Sequence, residues 1–219
     1  MITIPGRAIV FDLDGVLANS IAMVEKAWRA WALSHSLDPD QVIEITHGRR
    51  KTEIIATAAP WLDAQAEAHR IIDMEMDLIH EVIPIPGAQA FVESLPAGCW
   101  AIATSGEKEM AKARLRQAGM PIPQSFVAAE DVVRGKPNPE CYLKAVAGIG
   151  FSPSDCLVFE DAPLGVEGAI AGGMTAIGVS TTYPVEALHR AVVTVPDFRT
   201  VRALISGGKL QGVLIGTVD

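Results

Sequence analysis

The chain has 219 residues, of which 49% are hydrophobic and 20% are charged, and its formal net charge at pH 7 is −8. This composition is typical of a globular protein with one large domain, or with a core and a smaller inserted domain. The acidic balance argues against a nucleic-acid-binding surface and gives no reason to expect attraction to anionic lipid.

Neither a signal peptide nor a membrane span is predicted. The opening residues, MITIPGR, lack a basic region followed by an apolar stretch, and the longest uncharged run, residues 168–185, is interrupted by glycines and a proline. The 3 cysteines are widely spaced and odd in number, which predicts reduced, mostly buried thiols. These features together predict a cytoplasmic protein.

The first strong element is the apolar run AIVF at residues 8–11. A short continuous apolar run with β-branched residues predicts a strand buried on both faces, at the centre of a parallel sheet. Asp12 and Asp14 follow it, and side chains two residues apart on a strand share a face. We therefore expect both carboxylates in one cavity at the carboxyl end of the sheet, where ligands of open α/β sheets bind. The alternative is ordinary turn chemistry, with Asp12 capping a loop.

An all-helical block follows this strand. Apolar side chains at three- and four-residue steps predict helices over residues 20–35, 40–45, 52–59 and 63–82. The last helix is expected to bury one face, which carries Ala68, Ile72, Met76 and Ile79.

After residue 86 the pattern alternates between helix and strand, which indicates βαβ units and a parallel sheet. Helices are predicted over residues 86–95, 107–118, 139–148, 163–171 and 197–205. Strands are predicted over residues 99–104, 125–129, 156–159, 175–179 and 192–195, with an edge strand over residues 209–215. The first strand belongs with this region. We therefore predict an α/β class, Rossmann-like core of residues 1–16 and 86–219, interrupted by an all-helical cap of residues 17–85.

Polar residues follow the major strands of this predicted core. They are Asp12 and Asp14 after the first strand, Thr104, Ser105 and Gly106 after the second, and Glu160 and Asp161 after the fourth, with Lys136 in a loop between them. Because parallel strands end at the same edge of a sheet, these side chains are expected to surround one cavity.

The residue types in this set predict phosphoryl transfer. Four carboxylates form a hard-oxygen site that suits Mg²⁺, whereas no histidine or cysteine stands at the strand ends to favour zinc. Hydroxyl and N–H groups at a helix start, together with a lysine, favour a bound phosphate beside an aspartate nucleophile. Each feature alone has a plainer interpretation, as a helix cap or as a surface charge. Their occurrence together, at successive strand ends, favours the site.

Four stretches of the chain resemble, in order, the four motifs of the haloacid dehalogenase superfamily of aspartate-nucleophile phosphotransferases. They read FDLDGVLANS, ATSG, RGKPNPE and VFEDAPLG. The helical insert after the first motif resembles the cap of the β-phosphoglucomutase-like branch. The stretches AWRAWALSH, THGRRKTEII and WAIATSG are similar to bacterial sugar phosphatases and to the yeast-type 2-deoxyglucose-6-phosphate and glycerol phosphatases.

The resemblance implies a catalytic and metal-binding role for each carboxylate. Asp12 would be the nucleophile that forms an aspartyl-phosphate. Asp14 would protonate the leaving oxygen and then activate water. Asp12, the Asp14 carbonyl and Asp161 would hold Mg²⁺, with Glu160 nearby or bound through water.

The resemblance also implies how the phosphate is held. Thr104, Ser105 and Gly106 would bind it, and Lys136 would neutralise charge on it and on Asp12. The implied activity is Mg²⁺-dependent hydrolysis of small phosphorylated sugars or polyols. A helical lid beside such a phosphate site is itself expected to open and close, with hinges near residues 17–19 and 83–87, where the chain crosses between the domains.

Substrate choice is expected to lie in the cap loop His47-Gly48-Arg49-Arg50. Arginine can bind phosphate or hydroxyl oxygens with a two-pronged geometry. The corresponding loop of the resembling phosphatases reads roughly His-Gly-x-Arg-Thr, which makes Arg50 the first candidate and Arg49 the second. The alternative is that Arg49, Arg50 and Lys51 form a solvated helix start.

Other activities of the family are weighed on single residues. A β-phosphoglucomutase keeps a histidine where this chain has Val24, which favours hydrolysis over mutase activity. A dehalogenase lacks the second acid that Asp14 supplies. A phosphonatase would need Lys26 or Lys51 as a Schiff-base lysine. A non-catalytic binding domain is disfavoured because every expected catalytic residue is present. The sequence predicts no oligomeric state.

Overall fold

A computed structural model describes residues 1–46 and 48–216 of the chain. Its strands are β1 (Ile2–Pro5), β2 (Ala8–Phe11), β3 (Ala18–Asn19), β4 (Ile83–Pro84), β5 (Trp100–Ala103), β6 (Phe126–Val127), β7 (Cys156–Glu160), β8 (Thr175–Val179), β9 (Thr194–Val195), β10 (Val201–Ser206) and β11 (Lys209–Ile215). Its helices are α1 (Ile21–Ser34), α2 (Pro39–Ile43), α3 (Lys51–Ala58), α4 (Ala64–Asp77), α5 (Ala88–Glu93), α6 (Lys108–Gln117), α7 (Glu140–Ile149) and α8 (Pro163–Ala171).

A parallel sheet of six strands forms the centre of the fold, in the order β6-β5-β2-β7-β8-β9. β2 lies between β5 and β7, and all of its residues are fully buried. The continuous apolar run explains this position, because a strand covered on both faces has no side chain directed to water. The predicted α/β class and Rossmann-like sheet are confirmed. The predicted strands after residue 86 are confirmed within a few residues at each end, and β8 and α8 coincide with their predictions.

The C-terminal part departs from the prediction. Residues 201–206 form β10, so the helix predicted over residues 197–205 is wrong. β11 is a strand, as predicted, but it is the middle strand of a three-stranded antiparallel sheet, between β1 and β10, and not an edge. Gly207 and Gly208 both have positive φ and form the turn between β10 and β11, a hairpin signal in the sequence.

The helical segment between β3 and β4 has its own apolar cluster. The chain enters this helical segment through β3 and leaves it through β4, and the two strands pair antiparallel. Trp28 and Trp31 of α1 pack edge to face, with ring centroids 5.4 Å apart, against Ile54, Ile55 and Ile71. This separate cluster supports our proposal that residues 17–85 form a cap beside a core of residues 1–16 and 86–219.

α4 is shorter than predicted, and its fully buried face shares only Ala68 with the predicted one. It ends at Asp77, and a short 3-10 turn, Ile79–Glu81, follows. The buried side chains are Glu67, Ala68, Ile71 and Glu75, whereas Met76 is 43% exposed. The apolar pattern misses this face because two of its members are carboxylates that have buried partners.

Two further sequence predictions concern cysteines and membranes. Cys99, Cys141 and Cys156 are buried and unpaired, as predicted. No helix within residues 1–46 and 48–216 is long and apolar enough to cross a membrane.

Candidate active site

Three carboxylates meet at the carboxyl ends of β2 and β7. Asp12 directly follows β2, Glu160 ends β7, and Asp161 comes next in the chain. The two strands are neighbours in the sheet, with Phe11 opposite Phe159, and the Asp12 N–H donates to the Phe159 carbonyl at 3.0 Å. Each of the three residues is buried, and their carboxylate oxygens lie within 4.8 Å of one another. The parallel pairing therefore brings together groups that lie far apart in the sequence.

Lys136 enters this cluster from the loop before α7. Its ammonium donates to Asp12 Oδ1 at 2.6 Å and to Glu160 Oε1 at 2.5 Å. Glu160 is held further by the Tyr142 hydroxyl at 2.7 Å and by the Ala162 N–H at 2.8 Å. Lys136 is buried and therefore not a surface charge. Three carboxylates around one ammonium leave excess negative charge in a buried place, a condition that a cation relieves.

The pKa values in the cluster express the same imbalance. Burial raises the pKa of Asp12 to about 7, although the Lys136 charge opposes the shift. Burial and the charges of Glu160 and Asp12 raise the pKa of Asp161 well above its usual range. Burial alone would lower the pKa of Lys136, but Asp12 and Glu160 outweigh it, so the ammonium stays charged.

Gly15 leaves the space in which the Asp161 carboxylate lies. It has φ +79°, and a Cβ on it would fall 2.1 Å from Asp161 Oδ2 and 2.7 Å from Thr182 Oγ1. The Thr182 hydroxyl donates to the same Asp161 oxygen. A glycine is required here for both conformation and space. Sequence reasoning missed Thr182, which lies after β8 with no motif to mark it.

The second group of polar residues lies after β5. Thr104 is buried, its Oγ1 accepts from the Gly106 N–H at 3.0 Å, and the Ser105 hydroxyl donates to the Gly48 carbonyl at 3.0 Å. α6 begins later, at Lys108, whose N–H donates to the Glu130 carboxylate, so Thr104 and Ser105 are not the caps of this helix. Thr104, Ser105 and Gly106 line the same cavity as Asp12 and Asp14.

The two arginines of the cap loop have different surroundings in the structure. Arg49 is exposed and lines this cavity. Arg50 bonds to the Glu53 carboxylate and donates to the Val132 carbonyl at 3.3 Å, and it is not among the residues that line the cavity. His47 lies outside the described residues.

Lys51, the third cation of this loop, is buried. Its ammonium lies 3.1 Å from Glu75 and 2.8 Å from Glu107. The alternative of a solvated helix start is therefore wrong for this residue, because the two carboxylates compensate for its removal from water.

Asp14 has two partners that the sequence analysis did not identify. The Ser20 hydroxyl donates to Asp14 Oδ1 at 2.5 Å, and Arg114 Nη1 donates to Asp14 Oδ2 at 2.7 Å. Arg114 Nη2 donates to Glu75 Oε2 at 2.5 Å. A signal for Arg114 exists in the sequence, because it shares the buried face of α6 with Met110 and Ala111 at helical spacing.

Comparison with known proteins shows the family of the chain. The family model for haloacid dehalogenase-like hydrolases matches residues 7–173. The chain is 39% identical over 179 residues to Hexitol phosphatase A of Escherichia coli strain K12, covering 80% of this chain and 83% of that protein. It is 33% identical over 194 residues to Glycerol-1-phosphate phosphohydrolase 2 of Saccharomyces cerevisiae, covering 83% of this chain and 78% of that protein.

A solved structure shares most of this fold. The crystal structure of a hydrolase from Pseudomonas syringae superposes with a TM-score of 0.79 at 25% identity, covering 87% of this chain and 94% of that chain. The fold, the four motifs and the match over most of the sequence agree. The chain belongs to the haloacid dehalogenase-like hydrolases.

Proposed function

We propose that the protein hydrolyses small phosphorylated sugars or polyols through an aspartyl-phosphate on Asp12, with Mg²⁺. One observation carries this proposal. A buried Asp12 is paired with Lys136, and a second carboxylate, Asp14, is held beside it on both oxygens, in one cavity with Thr104 and Ser105. Relatives that are named hexitol and glycerol-1-phosphate phosphatases support the substrate class.

The donor set fits Mg²⁺. Asp12 and Asp161 offer buried carboxylate oxygens with excess negative charge around them, and Mg²⁺ prefers a few carboxylates beside water and phosphate oxygens. We infer that these two residues and the Asp14 carbonyl hold the ion. Glu160 already accepts from Lys136, Tyr142 and the Ala162 N–H, so we assign it to holding Lys136 and place it outside direct coordination. Bound Mg²⁺ would neutralise charge between Asp12 and the phosphate.

Two steps of proton transfer follow from these positions. An Asp12 oxygen attacks phosphorus while the bond from phosphorus to the sugar oxygen breaks, and protonated Asp14 gives its proton to that oxygen. Asp14 then takes a proton from a water molecule, which attacks the phosphorus and releases Asp12 and inorganic phosphate. Lys136, Thr104 and Ser105 bind the phosphoryl oxygens, where negative charge accumulates.

The cavity wall beyond the phosphate suits a hydroxylated molecule. Polar side chains of Ser20, Thr46, Arg49 and Lys51 line the cavity beside the apolar Trp28. A cavity with polar side chains disfavours a ligand that leaves them without hydrogen-bond partners, so this lining favours a ligand with hydroxyl groups.

Particular residues disfavour two alternative activities, mutase and phosphonatase. Val24 lines the cavity at the position where the resembling mutases keep a histidine, and its apolar side chain cannot transfer a proton. A phosphonatase needs an uncharged lysine amine. Burial would lower the pKa of Lys51, but Glu75 and Glu107 outweigh it and raise the pKa, so the amine stays protonated. Lys26 forms an exposed ion pair with Glu81 at 2.7 Å.

The test is phosphate release from hexitol, hexose and glycerol phosphates, including β-glucose 1-phosphate, with Mg²⁺ and with EDTA. Mg²⁺-dependent release that disappears in Asp12→Asn is expected. Conversion of β-glucose 1-phosphate to glucose 6-phosphate without release would favour a mutase. Activity retained by Asp12→Asn would contradict the assignment of Asp12 as the nucleophile. No phosphate release from any of these substrates would favour a binding role.

A further inference from the structure

A buried chain of ion pairs connects Asp14 to the helical segment. Arg114 of α6 contacts Asp14 at 2.7 Å and Glu75 of α4 at 2.5 Å. Glu75 in turn lies 3.1 Å from Lys51 of α3, which also pairs with Glu107 at 2.8 Å. Arg114 and Glu75 are 2% and 0% exposed. The network therefore joins the two parts of the fold directly behind one carboxylate of the site.

The network is not explained by stability. Removing several charges from water is costly, and buried ion pairs often stabilise a protein no better than apolar residues of the same volume. Glu75 Oε1 and Arg114 Nε are buried without a hydrogen-bond partner among the described residues, which adds to the cost. A costly arrangement in contact with a candidate acid and base suggests a role in the chemistry.

The geometry of Arg114 restricts how Asp14 can turn. One guanidinium nitrogen binds Asp14 Oδ2 and the other binds Glu75 Oε2, so the planar fork cannot rotate without breaking a bond. Ser20 holds the other Asp14 oxygen at 2.5 Å. Asp14 is thus fixed on two sides while its side chain keeps 28% of its surface exposed.

We propose that Arg114 is a positioning residue that orients the Asp14 carboxyl for proton transfer, and that Glu75 of the helical segment holds the Arg114 guanidinium in place. This inference rests on the proposed function. It extends that function by assigning the acid–base geometry to a residue pair that spans the core and the cap. Asp14 is correctly oriented only when Glu75 of α4 contacts Arg114 of α6.

The test uses two substrates that differ in their need for an acid. Glycerol 1-phosphate expels an alkoxide, which must be protonated, whereas acetyl phosphate expels acetate, which leaves as an anion. kcat/KM covers the steps up to release of the first product. Of the two roles of Asp14, it therefore includes the acid of the first step and not the base of the second. Arg114→Met is expected to lower kcat/KM for glycerol 1-phosphate by about 10- to 100-fold, the effect of a misplaced catalytic group. For acetyl phosphate we expect a change of less than about threefold, because no acid is needed.

Further variants separate positioning from folding. Arg114→Lys keeps a charge that can reach one carboxylate, and it is expected to recover part of the glycerol 1-phosphate activity. Glu75→Gln is expected to produce a smaller loss in the same direction. Because Arg114→Met leaves Glu75 without its arginine, the double variant Glu75→Gln/Arg114→Met removes both charges and preserves the test if the single variant unfolds. Exposed residues on the same helices supply the matched controls, Arg116→Met on α6 and Asp77→Asn on α4.

Three outcomes overturn this inference. Equal losses of kcat/KM on both substrates would indicate a purely structural role. No loss on glycerol 1-phosphate would show that Asp14 does not depend on Arg114. A wild-type protein that releases phosphate from no alkyl or polyol phosphate would overturn the proposed function and the inference together, and this failure is visible before any variant is made.

Discussion

The Lys136 ammonium and the Asp12 carboxylate lie 2.6 Å apart in a buried contact between residues 124 positions apart in the chain. Lys136 also contacts Glu160, so one ammonium is shared by two buried carboxylates. The pair joins the loop before α7 to the end of β2. It offsets negative charge at the centre of the candidate site and holds the loop there.

Lys136→Met is expected to lower turnover strongly and to destabilise the fold. Its loss leaves Asp12 and Glu160 without their cation, and breaking a buried pair in this way costs about 3–5 kcal/mol. Turnover should fall by roughly 10²–10³-fold or more, because a charge that stabilises the transition state is lost. Urea unfolding and phosphate release measure the two effects. Lys144→Met, at an exposed lysine of α7, is the control and should change neither by much.

Asp12→Asn is expected to abolish turnover while raising the midpoint of thermal unfolding in metal-free protein. The substitution removes one of three buried carboxylates whose mutual repulsion one lysine cannot balance. It also removes the nucleophile, since an amide cannot form the acyl phosphate. Scanning calorimetry with EDTA and a phosphate assay with Mg²⁺ test the two halves. A lower unfolding midpoint would contradict the charge imbalance.

The stability of the metal-free protein should depend on the protonation of Asp12. Its pKa is about 7 in the folded state against 3.8 for the free side chain, so between these pH values the folded state binds a proton that the unfolded chain has released. The free energy of unfolding therefore falls as pH rises through this window, by on the order of 2–4 kcal/mol. Urea unfolding at several pH values measures the slope. The difference between wild type and Asp12→Asn isolates this carboxyl, and an identical slope in both would count against the prediction.

Gly15→Ala is expected to weaken both the fold and the Mg²⁺ response. The new Cβ would meet the Asp161 carboxylate at 2.1 Å, in addition to the strain of φ +79°. Gly98→Ala is the matched control, because Gly98 has φ +76° and nothing within 4 Å of an added Cβ. The control should lose about 1 kcal/mol from backbone strain alone. Gly15→Ala should lose more and should need a higher Mg²⁺ concentration for half-maximal activity; equal behaviour of the two variants would contradict this.

Arg49→Ala and Arg50→Ala are expected to differ in what they change. Arg49 lines the cavity, so its loss should raise KM for polyol phosphates with little effect on stability. Arg50 bonds to Glu53 and to the Val132 carbonyl, so its loss should lower the unfolding midpoint more than it raises KM. Steady-state kinetics and thermal unfolding of both variants provide the comparison. The reverse pattern would restore Arg50 as the substrate-binding candidate.

Local pattern predicted most of the secondary structure, and its failures share a cause. The apolar period placed α8 and β8 correctly, because their buried faces are apolar. It misplaced the buried face of α4, because Glu67 and Glu75 point inward to partners on other elements. It also assigned helix to the residues of β10, whose hydrogen-bond partner β11 follows the Gly207-Gly208 turn.

The sheet class, the central place of β2 and the polar residues at the strand ends were all predictable from the amino-acid sequence. Those follow from local apolar runs and from the rule that parallel strands end at one edge. Other features are visible only in the folded chain. Arg49 lines the cavity and Arg50 does not. Arg114 contacts both Asp14 and Glu75, and β11 pairs with β1. The reason is that a buried charge or an unpaired strand edge is stable only against a specific partner, and these partners are brought close by folding, not by sequence spacing.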